Sequence, residues 1–465
     1  MHVVAIGGSD AGISAALRAR ELDPDCDFTV VVADAFPNFS ICGIPYYVSG
    51  EVGHWQNLAH RTHADLEAAG MSLRLDTRVT AIEAEEHRIV VEGGGTIDYD
   101  ALIVGTGAVP VRPPIHGLDR LGPDDGVHLL HSMGDTFELM ETLERNPMRR
   151  AVIVGAGYIG LEMAEGLRLR GLEVTQIEQL PEVLPTVDPE LGAMIHEELI
   201  RNGVDVRCRT RVEAITSGDE EEGRLAVRAV DSEGSAQPFP ADVVLVVVGV
   251  RPDTELAEAA GATLGAKGAI AVDRQMRTNL PDVFAAGDCA VTHHRLLGET
   301  YLPLGTTAHK QGRVAGENAL GGSREFAGSL GTQVVKVFDL VAARTGLREH
   351  EAEAAAFEPV TVAAHPDDHK AYYPGALPIE MRLTGDRPSG RLLGVQLVGH
   401  RGSGIAKRID IPATAIFNEM SVEDVSDLDL SYTPPLGSPW EAIQMGVQEL
   451  ARKLAVPDLA ADQGR

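Results

Sequence analysis

The chain has 465 residues, more than one hydrophobic core accommodates, so two to four domains are expected. Its 69 acidic residues outweigh 40 basic ones, and a formal net charge of −29 argues against nucleic acid or anionic lipid as a partner. Cys26, Cys42, Cys208 and Cys289 are scattered without a C-x-x-C pair, which speaks against a disulfide framework or a zinc site and fits a reducing cytoplasm. The first residues read as a strand and a glycine turn rather than a signal peptide, and no apolar run nears the roughly 20 residues of a membrane span.

Residues 3–6 are a short β-branched run that breaks into Gly7-Gly8-Ser9-Asp10-Ala11-Gly12 and then a helical period. This is a dinucleotide fingerprint with Ser9 in the place of the middle glycine. Gly7, Ser9 and Gly12 are its binding candidates, with Asp34, after a strand at residues 29–32, as the ribose acceptor. Cys42 follows in Asn38-Phe39-Ser40-Ile41-Cys42-Gly43-Ile44-Pro45-Tyr46-Tyr47. Pro45 marks a first helical turn, and a thiol at a helix N-terminus ionises more readily because it meets the positive end of the dipole. Cys42 is therefore the reactive cysteine, and the other three read as structural. A proline-rich passage at residues 109–117 marks a crossing between domains.

Residues 151–154 repeat the opening pattern, and Gly155, Gly157 and Gly160 complete G-x-G-x-x-G between strand and helix. The helix closes at Gly171, and a strand at residues 173–178 ends in Glu178, 18 residues after the third glycine. A carboxylate there accepts hydrogen bonds from an adenosine ribose diol. It would repel a 2′-phosphate, and Gln179-Leu180-Pro181 brings no basic residue, so NADH is preferred and NADPH is second. The apolar run at residues 243–248 reads as a parallel strand covered on both faces, followed by a second crossing at Gly249-Val250-Arg251-Pro252. Residues 278–288 read as a strand ending in Gly287-Asp288, whose carboxylate suits the hydroxyls of a ribityl chain. The two nucleotide sites then hold different ligands, a bound flavin and a diffusing nicotinamide. Beyond about residue 330 no fingerprint appears, and strand-like segments (QVVKVF, IEMRL, LLGVQLVG) alternate with helical ones as in a third domain. The tail beyond residue 456 reads as frayed. His60, His63, His293, His294, His365 and His369 lack an accompanying carboxylate pattern, and no metal site is expected.

Taken in order, GGSDAG, Thr106-Gly107-Ala108, GAGYIG, GVRPDT from Gly249, and AAGDCA resemble the FAD- and NAD(P)-dependent pyridine nucleotide-disulfide oxidoreductases over about residues 1–450. The resemblance implies an α/β protein with two Rossmann-like dinucleotide-binding domains and a C-terminal α+β dimerisation domain. The expected divisions are a discontinuous FAD domain at 1–116 and 250–328, an NAD domain at 117–249, and an interface domain at 329–455 of a homodimer. It also implies that FAD is tightly bound, with Thr106, Gly107, Gly249 and Gly287 beside it and Asp288 on its ribityl chain, and that Tyr158 gates the nicotinamide side. Two-cysteine members carry a second cysteine five positions after the first, where Tyr47 stands here. The chain thus resembles the single-cysteine branch: coenzyme A disulfide reductases, persulfide or polysulfide reductases, and NADH oxidases and peroxidases. In the coenzyme A disulfide reductases two tyrosines of the partner subunit approach the cysteine, and Tyr372, Tyr373 and Tyr432 stand in matching segments as further catalytic candidates.

The resemblance has departures. Oxidases and peroxidases of this branch carry a histidine where Asp10 stands, and a carboxylate beside a cysteine sulfenate is repulsive. Coenzyme A disulfide reductases carry Ser and Asn where Asn38 and Ile41 stand, which leaves coenzyme A itself open. Arg18, Arg20 and Arg61 are available for its phosphates but read first as solvated surface. The expected function is FAD-dependent NADH:disulfide oxidoreduction of a small thiol disulfide or persulfide through Cys42. The alternatives are an NADH oxidase or peroxidase, an NADH-dependent reductase of an electron-transfer protein, and a redox-sensing interaction protein.

Overall fold

A computed structural model describes residues 1–145, 148–218 and 223–455; the tail read as frayed lies outside them. The chain divides into two compact units. The first comprises Met1–Pro114, Leu118–Met148 and Leu245–Ser329, and the second Ile115–Gly117, Arg149–Val244 and Leu330–Arg465.

The first unit is built on a five-stranded parallel sheet in the order Val283–Ala285, Ala101–Val104, His2–Ile6, Asp27–Val31, Met71–Arg74. Successive residues of a strand face opposite sides, and here both sides are covered. Val3 and Ala5 join one buried cluster with Val30 and Ile103, while Val4 and Ile6 join another with Val31 and Leu102. Hence the unbroken apolar runs in the sequence. The order reverses between His2–Ile6 and Ala101–Val104, and this switch point is where doubly wound sheets open a crevice at their carboxyl ends. The helix Asp10–Leu22 leads back from the first strand, and the helix Gly305–Ala319 lies against it. That approach needs Gly312 and Gly316, where an added Cβ would stand 2.2 Å from the carbonyl oxygens of Ala11 and Ala15.

The segment expected to run as strand from 278 to 288 is a strand only at Val283–Ala285, because Asp282 turns the chain with φ +55°. The apolar run at 243–248 forms a strand only at Val243–Val246, all buried, and Val248 is 38% exposed.

In the second unit, Arg150–Val154, Glu173–Ile177 and Val204–Arg207 pair as parallel neighbours, the same half-motif again. A three-stranded antiparallel sheet, Thr210–Ser217, Leu225–Asp231, Ala236–Ala241, follows. The C-terminal part is a five-stranded antiparallel sheet in the order Gln333–Val337, Leu340–Gly346, Leu392–His400, Ile379–Asp386, Pro359–Ala364, with the helix Ala442–Leu454 packed on it. Leu340–Gly346 and Pro359–Ala364 were not expected as strands: their alternation is interrupted by Ala, Arg and Thr, and sheet pairing decides them. No helix among the described residues is long and apolar enough to cross a membrane.

Candidate active site

The two glycine loops are near copies. Gly7 and Gly155 have φ of +107° and +108°, a region only glycine occupies freely, and their amides donate to Val31 and Ile177 in corresponding register. Gly12 and Gly160 each pack so closely that a Cβ would fall 2.0 and 2.2 Å from the carbonyl oxygen of Gly7 and Gly155. The middle position differs physically. Ser9 has φ −92° and Gly157 φ −78°, extended values open to any residue, so serine there is compatible with the loop. No other group among the described residues lies within 4 Å of a Cβ built on Gly157, which leaves room for a ligand to approach. Neither following helix, Asp10–Leu22 or Tyr158–Leu169, has a side-chain cap, so their first amides are available to an anion.

The acids at the ends of the second strands are not equivalent. Glu178 directly follows Glu173–Ile177, is buried, and its carboxylate accepts from the amides of Ala156 at 2.8 Å and Leu180 at 2.9 Å. In matching register the first unit has Val32, while Asp34 is exposed two residues further on and accepts from the amide of Phe36 at 2.8 Å. Beside Glu178 a shallow cleft of about 490 Å³ is lined by Gln179, Leu180, Arg209 and Arg211. Neither arginine is near Glu178 in sequence: Arg209 stands just before the strand Thr210–Ser217 and Arg211 within it, and the Arg209 amide donates to the carbonyl of Leu180 at 2.9 Å.

At the carboxyl end of Ala101–Val104, the hydroxyl of Thr106 donates to the carbonyl of Asp253 at 2.6 Å, tying the Thr106-Gly107 turn to the GVRPDT segment that begins at Gly249. Gly107 and Gly249 take φ of +76° and +108°, with nothing among the described residues within 4 Å of an added Cβ, and Gly287 takes φ +86° just before Asp288. Burial first, and then the Asp10 carboxylate, raises the Asp288 carboxyl from 3.8 to about 6. A carboxyl whose pKa is higher in the folded than in the unfolded chain binds more protons when folded between those two values, so its ionisation there opposes folding. Flavin-free protein is expected to lose at most on the order of 2 kcal/mol as pH rises through that window, and Asp288→Asn to remove the loss. Denaturant unfolding at pH 4 and pH 7 checks this; an unchanged difference between the two pH values in the variant would contradict it.

Cys42 is exposed, in a 3₁₀ turn at Ile41–Gly43 that leads into the helix Ile44–Ser49. The thiol was expected at a helix N-terminus; it sits one residue before the N-cap Gly43 of a helix only six residues long, so the dipole acting on it is small. Its loop is held elsewhere. The amide of Asn38 donates to the carbonyl of Gly8 at 2.7 Å, and residues 38–40 bridge to 58–60 through Phe39 and Ala59. Asn38 takes φ +58° and is buried, yet its side-chain amide has no hydrogen-bond partner among the described residues. A buried, unpaired amide tied to a glycine loop fits a polar ligand lying against it. Phe36, Phe39, Trp55 and Phe137 brace the loop with ring centroids 5.2–5.9 Å apart, a cluster drawn from separated segments. Cys26 and Cys289 are buried and burial pushes both thiols up, as inert cysteines require.

Asp10 does not stand as a bare carboxylate. His309, on Gly305–Ala319, places Nε2 3.4 Å from its Oδ1 and Nδ1 2.8 Å from the Ser14 hydroxyl, and the His60 ring lies 6.4 Å away, edge-on. Arg18 is also not a solvated residue: its guanidinium is paired with Glu317 at 2.7 Å and Glu21 at 3.0 Å. Arg20 donates to the carbonyls of Cys26 and Ala69.

Tyr158 opens its helix, and its hydroxyl accepts from Thr186 at 3.2 Å. Tyr372 and Tyr432, 72% and 44% exposed, are neighbours, and the Tyr372 hydroxyl raises that of Tyr432. Tyr373 packs edge-on against His369, 5.7 Å between centroids. His365 and His369 each pair with one carboxylate, Glu380 and Asp368 respectively.

The pyridine nucleotide-disulphide oxidoreductase family model matches residues 1–312, and the dimerisation domain of that family matches residues 332–443. An NADH oxidase of Methanocaldococcus jannaschii is 32% identical over 98% of this chain and 100% of its own length. A CoA-dependent NAD(P)H sulfur oxidoreductase of Pyrococcus furiosus is 35% identical over 95% and 97%. The solved NAD-dependent persulfide reductase from A. fulgidus is similar with a TM-score of 0.90 and 38% identity, over 97% of this chain and 83% of that one. Two glycine loops of one design, a parallel sheet with its switch point, and these matches along both parts of the sequence lead to one conclusion: the chain belongs to the pyridine nucleotide-disulphide oxidoreductase family and is an oxidoreductase that works with FAD and NAD(P)H.

Proposed function

We propose that this protein is a cytoplasmic homodimer that uses NADH to reduce a small thiol disulfide or persulfide through Cys42. The observation that carries the reading is an exposed Cys42 in a loop bonded through Asn38 to the first glycine loop, while Cys26 and Cys289 are buried. In this reading the chain is organised as an FAD domain at 1–116 and 250–328, an NAD domain at 117–249 and an interface domain at 329–455. The amides after Ser9, the turns at Gly7, Gly12, Thr106, Gly107, Gly249 and Gly287, and the carboxylates of Asp34 and Asp288 hold FAD. Gly155, Gly157, Gly160 and Glu178 hold NADH, with Tyr158 beside the nicotinamide. Arg209 and Arg211 in the cleft by Glu178 give a 2′-phosphate cationic partners, which keeps NADPH as the second choice.

Bound FAD supplies two-electron transfer between nicotinamide and sulfur. The Cys42 thiolate attacks one sulfur of the disulfide; the S–S bond breaks, and the departing thiolate takes a proton from the Tyr372–Tyr432 pair, with Tyr373 beside it, contributed across the dimer. Two electrons from NADH and one proton then cleave the mixed disulfide and restore the thiolate. Overall, one disulfide, one NADH and one proton give two thiols and NAD⁺. Coenzyme A is one thiol of suitable chemistry, as the name of the Pyrococcus relative indicates. The alternative, an NADH oxidase or peroxidase working through a Cys42 sulfenic acid, draws support from His309 beside Asp10.

Mass measurement distinguishes them. Protein exposed to a small disulfide without NADH is expected to gain one half-disulfide on Cys42 and to lose it on adding NADH. A Cys42 that stays unmodified, or that cycles only through a sulfenic acid with peroxide, would overturn the disulfide reading.

A further inference from the structure

Cys208 has no role in the chemistry above and was expected to be structural. Its surroundings are unusual for an inert cysteine. Its Sγ lies 3.8 Å from Oε1 of Glu182 and 3.9 Å from Nδ1 of His196, and that nitrogen and oxygen are 2.8 Å apart. The three come from separate segments: Glu182 follows the strand Glu173–Ile177, His196 sits on the helix Pro189–Arg201, and Cys208 comes directly after Val204–Arg207. All three are partly buried, and the Glu182 and His196 side chains are only 20% and 23% exposed.

We propose that Glu182, His196 and Cys208 form a binding site for one borderline-soft divalent cation of the zinc class, with water as the fourth ligand. Tetrahedral zinc bonded to S, N and O at its usual lengths has ligand-to-ligand edges of about 3.4–3.6 Å. The edges present are 2.8, 3.8 and 3.9 Å, so side-chain movements of roughly half an ångström close the geometry. The donor set also selects the metal class: thiolate and imidazole favour zinc or cobalt over magnesium or calcium, which take oxygen donors. On binding, the Cys208 thiol gives up its proton to solvent and His196 binds as neutral imidazole through Nδ1, its remaining proton on Nε2. Thiolate, carboxylate and a divalent ion then sum to zero charge, which suits a half-buried site. Without a metal, burial and the carboxylates of Glu182 and Glu178 push the thiol up to about 12, so it stays protonated and unreactive. The backbone supports the arrangement: the Val183 amide donates to Oε1 of Glu182 at 2.9 Å.

The test uses the tag-free, flavin-containing full chain in a Cys42→Ser background, so that its exposed thiol contributes nothing, and cobalt(II) as the probe. One cobalt per chain is expected, with a near-ultraviolet thiolate-to-metal charge-transfer band and visible bands of tetrahedral intensity, both displaced by zinc. Cys208→Ser should abolish the charge-transfer band, and His196→Gln should weaken binding at least about tenfold, while each keeps the flavin spectrum of the folded parent. Absence of the band, or a band that persists in Cys208→Ser, overturns the proposal. Because no nucleotide or disulfide enters the measurement, its outcome is independent of the function proposed above.

Discussion

Cys42→Ser is expected to lower NADH-dependent cleavage of a small disulfide by about a thousandfold or more, while reduction of ferricyanide by NADH stays within about threefold of the parent. Serine fills the same space, so the loop tied to Gly8 through Asn38 and braced by Phe36, Phe39, Trp55 and Phe137 keeps its shape. What is lost is the only atom in that loop able to form a mixed disulfide, since a hydroxyl is not ionised near neutrality and makes no bond to sulfur. The artificial acceptor needs only flavin and nicotinamide, so its rate reports on everything except Cys42. Thiol release and acceptor bleaching, measured on one preparation, give the two rates. If both survive, Cys42 is dispensable and the protein reads as a reductase of an electron-transfer partner; if both vanish, the substitution has damaged the flavin site and Cys42→Ala is measured in its place.

The second large effect is expected from Gly160→Ala. An added Cβ would stand 2.2 Å from the carbonyl oxygen of Gly155 and 3.1 Å from Nε2 of Gln176, which itself donates to that same carbonyl. Both obstacles are fixed, the one as backbone and the other as a fully buried side chain, so the start of Tyr158–Leu169 must move away from the loop. A displacement of about 1 Å in a positioning element costs on the order of a hundredfold in rate. NADH reduction of the flavin is expected to fall by that factor, while the flavin stays bound and is still bleached by dithionite. Stopped-flow absorbance at the flavin band measures it. An unchanged rate would show that the second glycine loop does not hold the nicotinamide dinucleotide. The corresponding change Gly12→Ala, with 2.0 Å to the Gly7 carbonyl, is the internal contrast, because it strikes the first loop instead.

The geometry of the glycine loops is legible in the chain because it is written locally. A glycine with φ near +107°, a glycine five residues later with no room for a Cβ, and an apolar run covered on both faces are all requirements of one short segment, so they leave a spacing that can be read. That holds for Gly7 and Gly12, for Gly155 and Gly160, and for the acid Glu178 one residue past its strand. The parallel dinucleotide sheets and the separate C-terminal sheet followed from the same patterns. Strand ends were less legible, because Val248 is as apolar as Val246 and only the neighbouring chain decides which of them is covered.

Local pattern alone carries the pair of glycine loops, the loop that holds Cys42, and the change of architecture after residue 330. Which distant groups stand beside them follows from the packing of the folded chain. His309 meets Asp10, 299 residues earlier in the chain, Arg209 and Arg211 line the cleft next to Glu178, and Glu182, His196 and Cys208 converge from three segments. Each of these side chains satisfies its own helix, strand or loop without needing the others, so no local pattern announces them. Their meeting is set by how the sheet orders its strands, a property of the packed chain and not of any stretch of it.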